Sequence, residues 1–128
     1  MVGVAAALAD TSWFTVPERH LIRPHPGQLA VSILTVGDLR LAVLETPDPE
    51  ERAQRVSTLL YAESLPVLPI DRAVAEAWAH LVRRLRGAGR ELPGHDSWIA
   101  ATAIAHELPL VTCGAGYVDV PGLQLIRV

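Results

Sequence analysis

The chain has 128 residues, 50% hydrophobic and 20% charged, with a net charge of −3, which describes one globular domain long enough for a real core and carries no apolar run long enough to span a bilayer. A single cysteine, Cys113, excludes an internal disulfide and makes a poor zinc set, so a cytoplasmic setting is expected, and the acidic balance does not advertise nucleic-acid binding. All eleven basic residues are arginines, which excludes a P-loop and lysine Schiff-base chemistry and leaves the side chain best suited to bidentate phosphate contact.

Residues Met1 to Asp10 lack a basic start and run straight into an acid. They read as a buried strand, Val4 to Ala9, rather than as a signal peptide. Asp10-Thr11-Ser12 follows at the carboxyl end of that strand, the edge where open α/β sheets build their sites. Asp10 is also an ordinary turn residue in such a position, and Thr11 or Ser12 is suited to cap a short helix through Trp13 and Phe14. Thr15 to Gln28 contains Pro17, Pro24, Pro26 and Gly27 and reads as a loop. His20 and His25 lie in it without the helical scaffold that a metal pair needs.

Leu29 to Ile33 is a second strand, and a helix then runs from Thr35 to about Glu45. Thr35 and Asp38 have the spacing of a capping box, which offers Asp38 a purely structural role. Asp48-Pro49-Glu50-Glu51 opens a further helix, with Asp48 as cap and Pro49 in the first position. Leu65 to Ile70 carries two prolines and reads as an edge strand. Asp71 caps a helix with Val74, Trp78, Leu81, Val82 and Leu85 on its inner face. Arg83, Arg84 and Arg86 lie on its outer face, as a solvated surface or as a rim for phosphates.

Gly94 to His106 is a helix apolar nearly all the way round, which places it inside the domain. Asp96 stands at its start, where an acid either caps the helix or is presented into a cleft. Leu108 to Thr112 and Leu123 to Val128 are the closing strands, separated by the glycine-rich loop Cys113-Gly114-Ala115-Gly116-Tyr117. Strands alternate with helices throughout, so the expected fold is α/β: a small, mostly parallel sheet flanked by helices, in one domain over residues 1–128. Asp10, Asp38 and Asp96 then fall at strand and helix ends of one layer. Carboxylates gathered there repel one another unless a cation sits between them, and an all-oxygen set favours Mg2+ or Mn2+. No Gly-x-Ser-x-Gly elbow is present to make Ser12 a hydrolase nucleophile.

Four segments carry a resemblance: Asp10-Thr11-Ser12, Ser32 to Arg40, Asp96-Ser97-Trp98-Ile99-Ala100-Ala101-Thr102-Ala103 and Leu108 to Thr112, with Val120-Pro121-Gly122-Leu123 before the last strand. In order and spacing the chain resembles PIN-domain proteins, and among them the VapC-type toxins of bacterial toxin–antitoxin pairs. The resemblance runs from about Val4 to Val128. It implies a metal-dependent ribonuclease that acts as a homodimer and is blocked by an antitoxin. It implies Asp10 and Asp96 as ligands of Mg2+ or Mn2+ and Asp38 as a supporting catalytic acid. With that site, Thr11 or Ser12 would position the substrate by hydrogen bonding, and the rim arginines Arg83, Arg84 and Arg86 would contact RNA. Asp38 stands where the family usually has Glu, and His95 where it often has Asn. Gly114 and Gly116 stand where the family has Asn or Asp and then Asp. Those two glycines open a second expectation, a PIN-like module that binds antitoxin or RNA without cutting it.

Overall fold

The structure, a computed structural model, describes residues 5–15 and 28–128. Residues 16–27, and with them His20, His25 and most of the proline-rich loop, lie outside the described residues. Five parallel strands form a single sheet: β1 (Ala7–Ala9), β2 (Leu29–Ser32), β3 (Val67–Leu68), β4 (Leu110–Thr112) and β5 (Leu125–Arg127), in the order β3-β2-β1-β4-β5. Among the described residues five helices accompany them: α1 (Thr11–Thr15), α2 (Ile33–Glu45), α3 (Pro49–Glu63), α4 (Arg72–Gly87) and α5 (Gly94–Ala105).

The three central strands, β1, β2 and β4, are buried on both faces, which is how a short parallel sheet is stabilised, while the edge strands β3 and β5 are partly exposed. Successive side chains point to opposite faces. Ala7, Ala9, Leu29, Val31 and Val111 therefore pack with Trp13 and Phe14 of α1, Leu39 and Val43 of α2 and Leu59 and Ala62 of α3. Leu8, Ala30 and Leu110 pack on the other side with Leu81 and Leu85 of α4 and Ile99, Ala100 and Ala103 of α5. Small residues on α5 let it lie close against the sheet, and Ala100, Ala101 and Ala103 are fully buried.

Chain order reverses between β1 and β4, so the crevice beyond their carboxyl ends is the topological switch point of the sheet. Asp10 follows β1 there, its amide bonded to the Val111 carbonyl at 2.8 Å.

Three local expectations are corrected. The helix after β2 starts at Ile33, two residues earlier than the capping-box reading has it, because Ser32 accepts the Leu34 amide at 3.1 Å and turns the chain straight from strand to helix. Thr35 and Asp38 are thus inside α2 and form no cap. Asp96 does not cap α5 either: Pro93 occupies that place with no side-chain bond, and Asp96 is the third helical residue. The proline-flanked edge strand shrinks to Val67–Leu68, since Pro66 and Pro69 have no N–H for a ladder. By contrast, Asp48 and Asp71 cap their helices as read, accepting the amides of Glu51 and Val74 at 3.0 Å each.

Candidate active site

Asp10 is only 6% exposed, and its carboxylate is met by three hydroxyls. Ser12 and Thr112 donate to Oδ2 at 2.8 and 3.0 Å, and Tyr117 donates to Oδ1 at 2.8 Å. Thr112 ends β4, so the neighbouring strand supplies the second donor, while the loop after it supplies the third. A buried charge held by this many donors is oriented as well as solvated.

Asp96 approaches from α5. The Tyr117 hydroxyl, which donates to Asp10, is near enough to Asp96 to favour its charged form. Burial, and then the negative charge of Asp10, push the Asp96 carboxyl above the ordinary carboxylate range, against the opposing pull of Tyr117 and His95. Burial and the two carboxylates push the Tyr117 phenol upward, which keeps it protonated and a donor.

Asp38 is set further out. Its Oδ2 accepts from Thr11 Oγ1 at 3.2 Å and its Oδ1 lies 3.1 Å from His95 Nδ1. It raises the Asp96 pKa less than Asp10 does. Thr11 Oγ1 is also 2.8 Å from the buried Thr35 Oγ1. Thr11 and Ser12 therefore direct their hydroxyls at the acids. Ser12 additionally accepts the Cys113 amide at 3.0 Å, tying α1 to the glycine loop.

That loop is held from outside. Arg127 on β5 donates to the Gly114 carbonyl and, at 2.9 Å, to that of Gly116, and Arg90 donates to the carbonyls of Val118 and Asp119. Tyr117 itself is left-handed, with φ 63°, a conformation that costs an L-residue about 1–2 kcal/mol and needs such support. Arg83, Arg84 and Arg86 of α4 are exposed, and Arg86 lines a cavity with Gly94 and Ser97 of α5. Arg84 lies by Gly122 and Ile104, and Ile104 is about 12 Å along α5 from Asp96 at the helical rise per residue.

Residues 6–123 match the PIN-domain family. The chain belongs to the PIN-domain family. It is 43% identical to ribonuclease VapC4 of Mycobacterium tuberculosis, covering 99% of this chain and 100% of that one. It is 35% identical to ribonuclease VapC5 of the same organism, over 97% of this chain and 96% of that one. A crystal structure of VapBC-5, described as a member of the VapBC family of toxin–antitoxin systems, superposes with a TM-score of 0.84 at 34% identity, covering 98% of this chain and all of that chain.

In this PIN domain the switch-point crevice brings Asp10 and Asp96 together, with Asp38 at its margin. Among the described residues no group of three or more His, Cys, Asp or Glu side chains is disposed to hold a metal. The donors fit a smaller demand. Two carboxylates, one of them pushed toward its neutral form by burial and then by the other's charge, are an oxygen donor set that suits a hard divalent cation completing its shell with water. Sequence reasoning did not single out Tyr117, Thr112 or Arg127. Thr112 was readable, since it closes a strand at the same sheet edge as Asp10. Nothing in the sequence marks a tyrosine at the end of a glycine loop as buried.

Neither glycine of the loop is required by the backbone. Gly114 and Gly116 are not among the residues with positive φ, and a Cβ at Gly116 would meet only Asp96 Oδ2, at 3.8 Å. A Cβ is therefore accommodated at both positions. Gly116→Asp is accordingly expected to fold, to melt lower than wild type without metal because a third charge joins Asp10 and Asp96, and to be stabilised more by Mn2+. Melting curves with and without Mn2+ check this; an Mn2+ shift equal to that of wild type would contradict it.

Proposed function

We propose that this PIN domain is a metal-dependent endoribonuclease, the toxin of a toxin–antitoxin pair, hydrolysing RNA phosphodiesters at Asp10 and Asp96. The observation that carries the reading is the approach of Asp96 to the buried, triply bonded Asp10 at the switch point, where burial and the charge of Asp10 raise the Asp96 pKa, a strain that a cation would relieve. The names of the relatives, both ribonucleases, support the reaction, and the VapBC-5 structure supports an antitoxin partner.

Mg2+ or Mn2+ at this site supplies a water of lowered pKa and offsets charge on the phosphate. The chain's own residues do the rest. Ser12, Thr112 and Tyr117 fix the Asp10 carboxylate. The first turn of α5 aims Asp96 with its own amide dipoles behind it. Asp38 acts through Thr11 and His95 at the edge of the crevice. Arg83, Arg84 and Arg86 hold the RNA backbone away from the point of cleavage, which suits a substrate that extends over α4. Among the described residues no helix is long and apolar enough to cross a membrane. An RNA substrate implies a cytoplasmic setting. The working form is a homodimer.

The glycines at 114 and 116 favour a second reading, a module that binds RNA or antitoxin without cleavage. Incubation of a total RNA pool with wild type and Asp96→Asn, each with Mn2+ and with chelator, separates the two. The enzyme reading expects Mn2+-dependent fragments from wild type alone. RNA retained by both proteins and cut by neither would establish the second reading.

A further inference from the structure

The loop that lacks two acids still delivers one polar group to the crevice, the Tyr117 hydroxyl. We infer that Tyr117 is the positioning residue of the cation site, a neutral donor that turns one oxygen of Asp10 toward the cation where the loop offers no carboxylate. The inference rests on the metal-site reading and adds to it a residue that acts through Asp10.

The lone pairs of Asp10 make the case. A carboxylate oxygen accepts about two hydrogen bonds. Oδ2 receives Ser12 and Thr112 and is full. Oδ1 receives Tyr117 alone and keeps a lone pair for a cation. The two donors on Oδ2 set the plane of the carboxylate, and the phenol occupies one side of Oδ1, which leaves the other side open to a cation. That proton is committed to Asp10, so the phenol acts on the site through this one carboxylate.

The phenol is in turn immobilised. Its ring is 4% exposed and packs among Leu81, Leu85, Ile99 and Val120. Arg127 grips the backbone before it and Arg90 the backbone after it. This is a greater investment in placing a side chain than packing alone explains, because the residue adopts a left-handed φ to reach the acids. Hydrogen-bond partners that orient metal ligands are worth about 10–100-fold in metal affinity.

The test is calorimetric titration of Mn2+ into wild type, Tyr117→Phe and Val120→Ala, all as the full chain. Phe keeps the buried ring and removes only the hydroxyl, whereas Val120→Ala loosens the same apolar cluster without touching an acid. Tyr117→Phe should bind Mn2+ about 10–100-fold more weakly, with RNA cleavage restored at saturating Mn2+. Val120→Ala should melt lower and bind Mn2+ as wild type does. Equal or tighter binding by Tyr117→Phe, an equal loss in Val120→Ala, or cleavage that stays low at saturating Mn2+ would overturn the inference and leave the metal-site reading standing. Absence of Mn2+ binding by wild type would overturn that reading, and this inference with it.

Discussion

Asp10→Ala should both unfold more easily and stop cutting RNA. The carboxylate is the acceptor for Ser12, Thr112 and Tyr117, and alanine leaves all three donors facing a buried void. A hydrogen bond to a charged group contributes about 1.5–3 kcal/mol, and a donor left without a partner costs about 1–3 kcal/mol. Some of this is recovered, because Ser12 and Thr112 lie 3.1 Å apart and can bond each other, and because Asp96 loses a repulsive neighbour. A net loss of about 3 kcal/mol lowers the melting temperature on the order of 10 °C for a domain of this size. Cleavage should fall by about a hundredfold or more, since even the outer partners of metal ligands are worth 10–100-fold. Thermal melts and RNA cleavage on the same preparation check both halves. A variant that melts like wild type would show that the hydroxyls do not depend on Asp10.

Asp96→Asn should do the opposite to stability and the same to activity. In the folded chain, burial and then the charge of Asp10 raise the Asp96 pKa above its ordinary value of 3.8. The folded state therefore holds the proton more tightly than the unfolded state does. Stability gained from that proton is complete below the ordinary value and is lost as pH rises through the raised one. At neutral pH the ionised Asp96 is a burden on the metal-free fold, which asparagine removes. Asp96→Asn should thus melt above wild type at pH 7 without metal, and the difference should vanish as pH falls to the ordinary carboxylate range. Mn2+ should reverse the order, because a ligand at about 100 times its dissociation constant stabilises its binder by about 2.7 kcal/mol, and only wild type keeps both acids. Melts at several pH values, with and without Mn2+, check this. A variant that melts below wild type at neutral pH without metal would mean that Asp96 stabilises the fold by its charge.

These opposite signs follow from position along the chain, and the sequence disclosed only part of that. Asp10 was legible because an apolar strand ending in an acid and two hydroxyl residues names the carboxyl edge of a sheet. The apolar α5 was legible as a buried helix for the same reason of pattern. Two caps were misread where the capping residue lay elsewhere: Ser32 accepts the helix amide in place of Thr35 because the strand passes directly into the helix, and Pro93 left Asp96 two places inside α5. The strand order, which puts β1 beside β4 and so Asp10 beside Thr112, depends on which faces of which helices are apolar and is not written in any one segment. Tyr117 was hidden because a loop has no periodicity from which burial can be read. Its role depends on Arg90 and Arg127, which bond backbone carbonyls and so leave no signature in the residues they hold.

The central claim is that Asp10 and Asp96 form one cation site. Calorimetric titration of Mn2+ into metal-free wild type, Asp10→Asn and Asp96→Asn tests it most directly. Wild type should bind saturably, and both variants should lose that binding. Saturable binding that survives in either variant at wild-type affinity would contradict it.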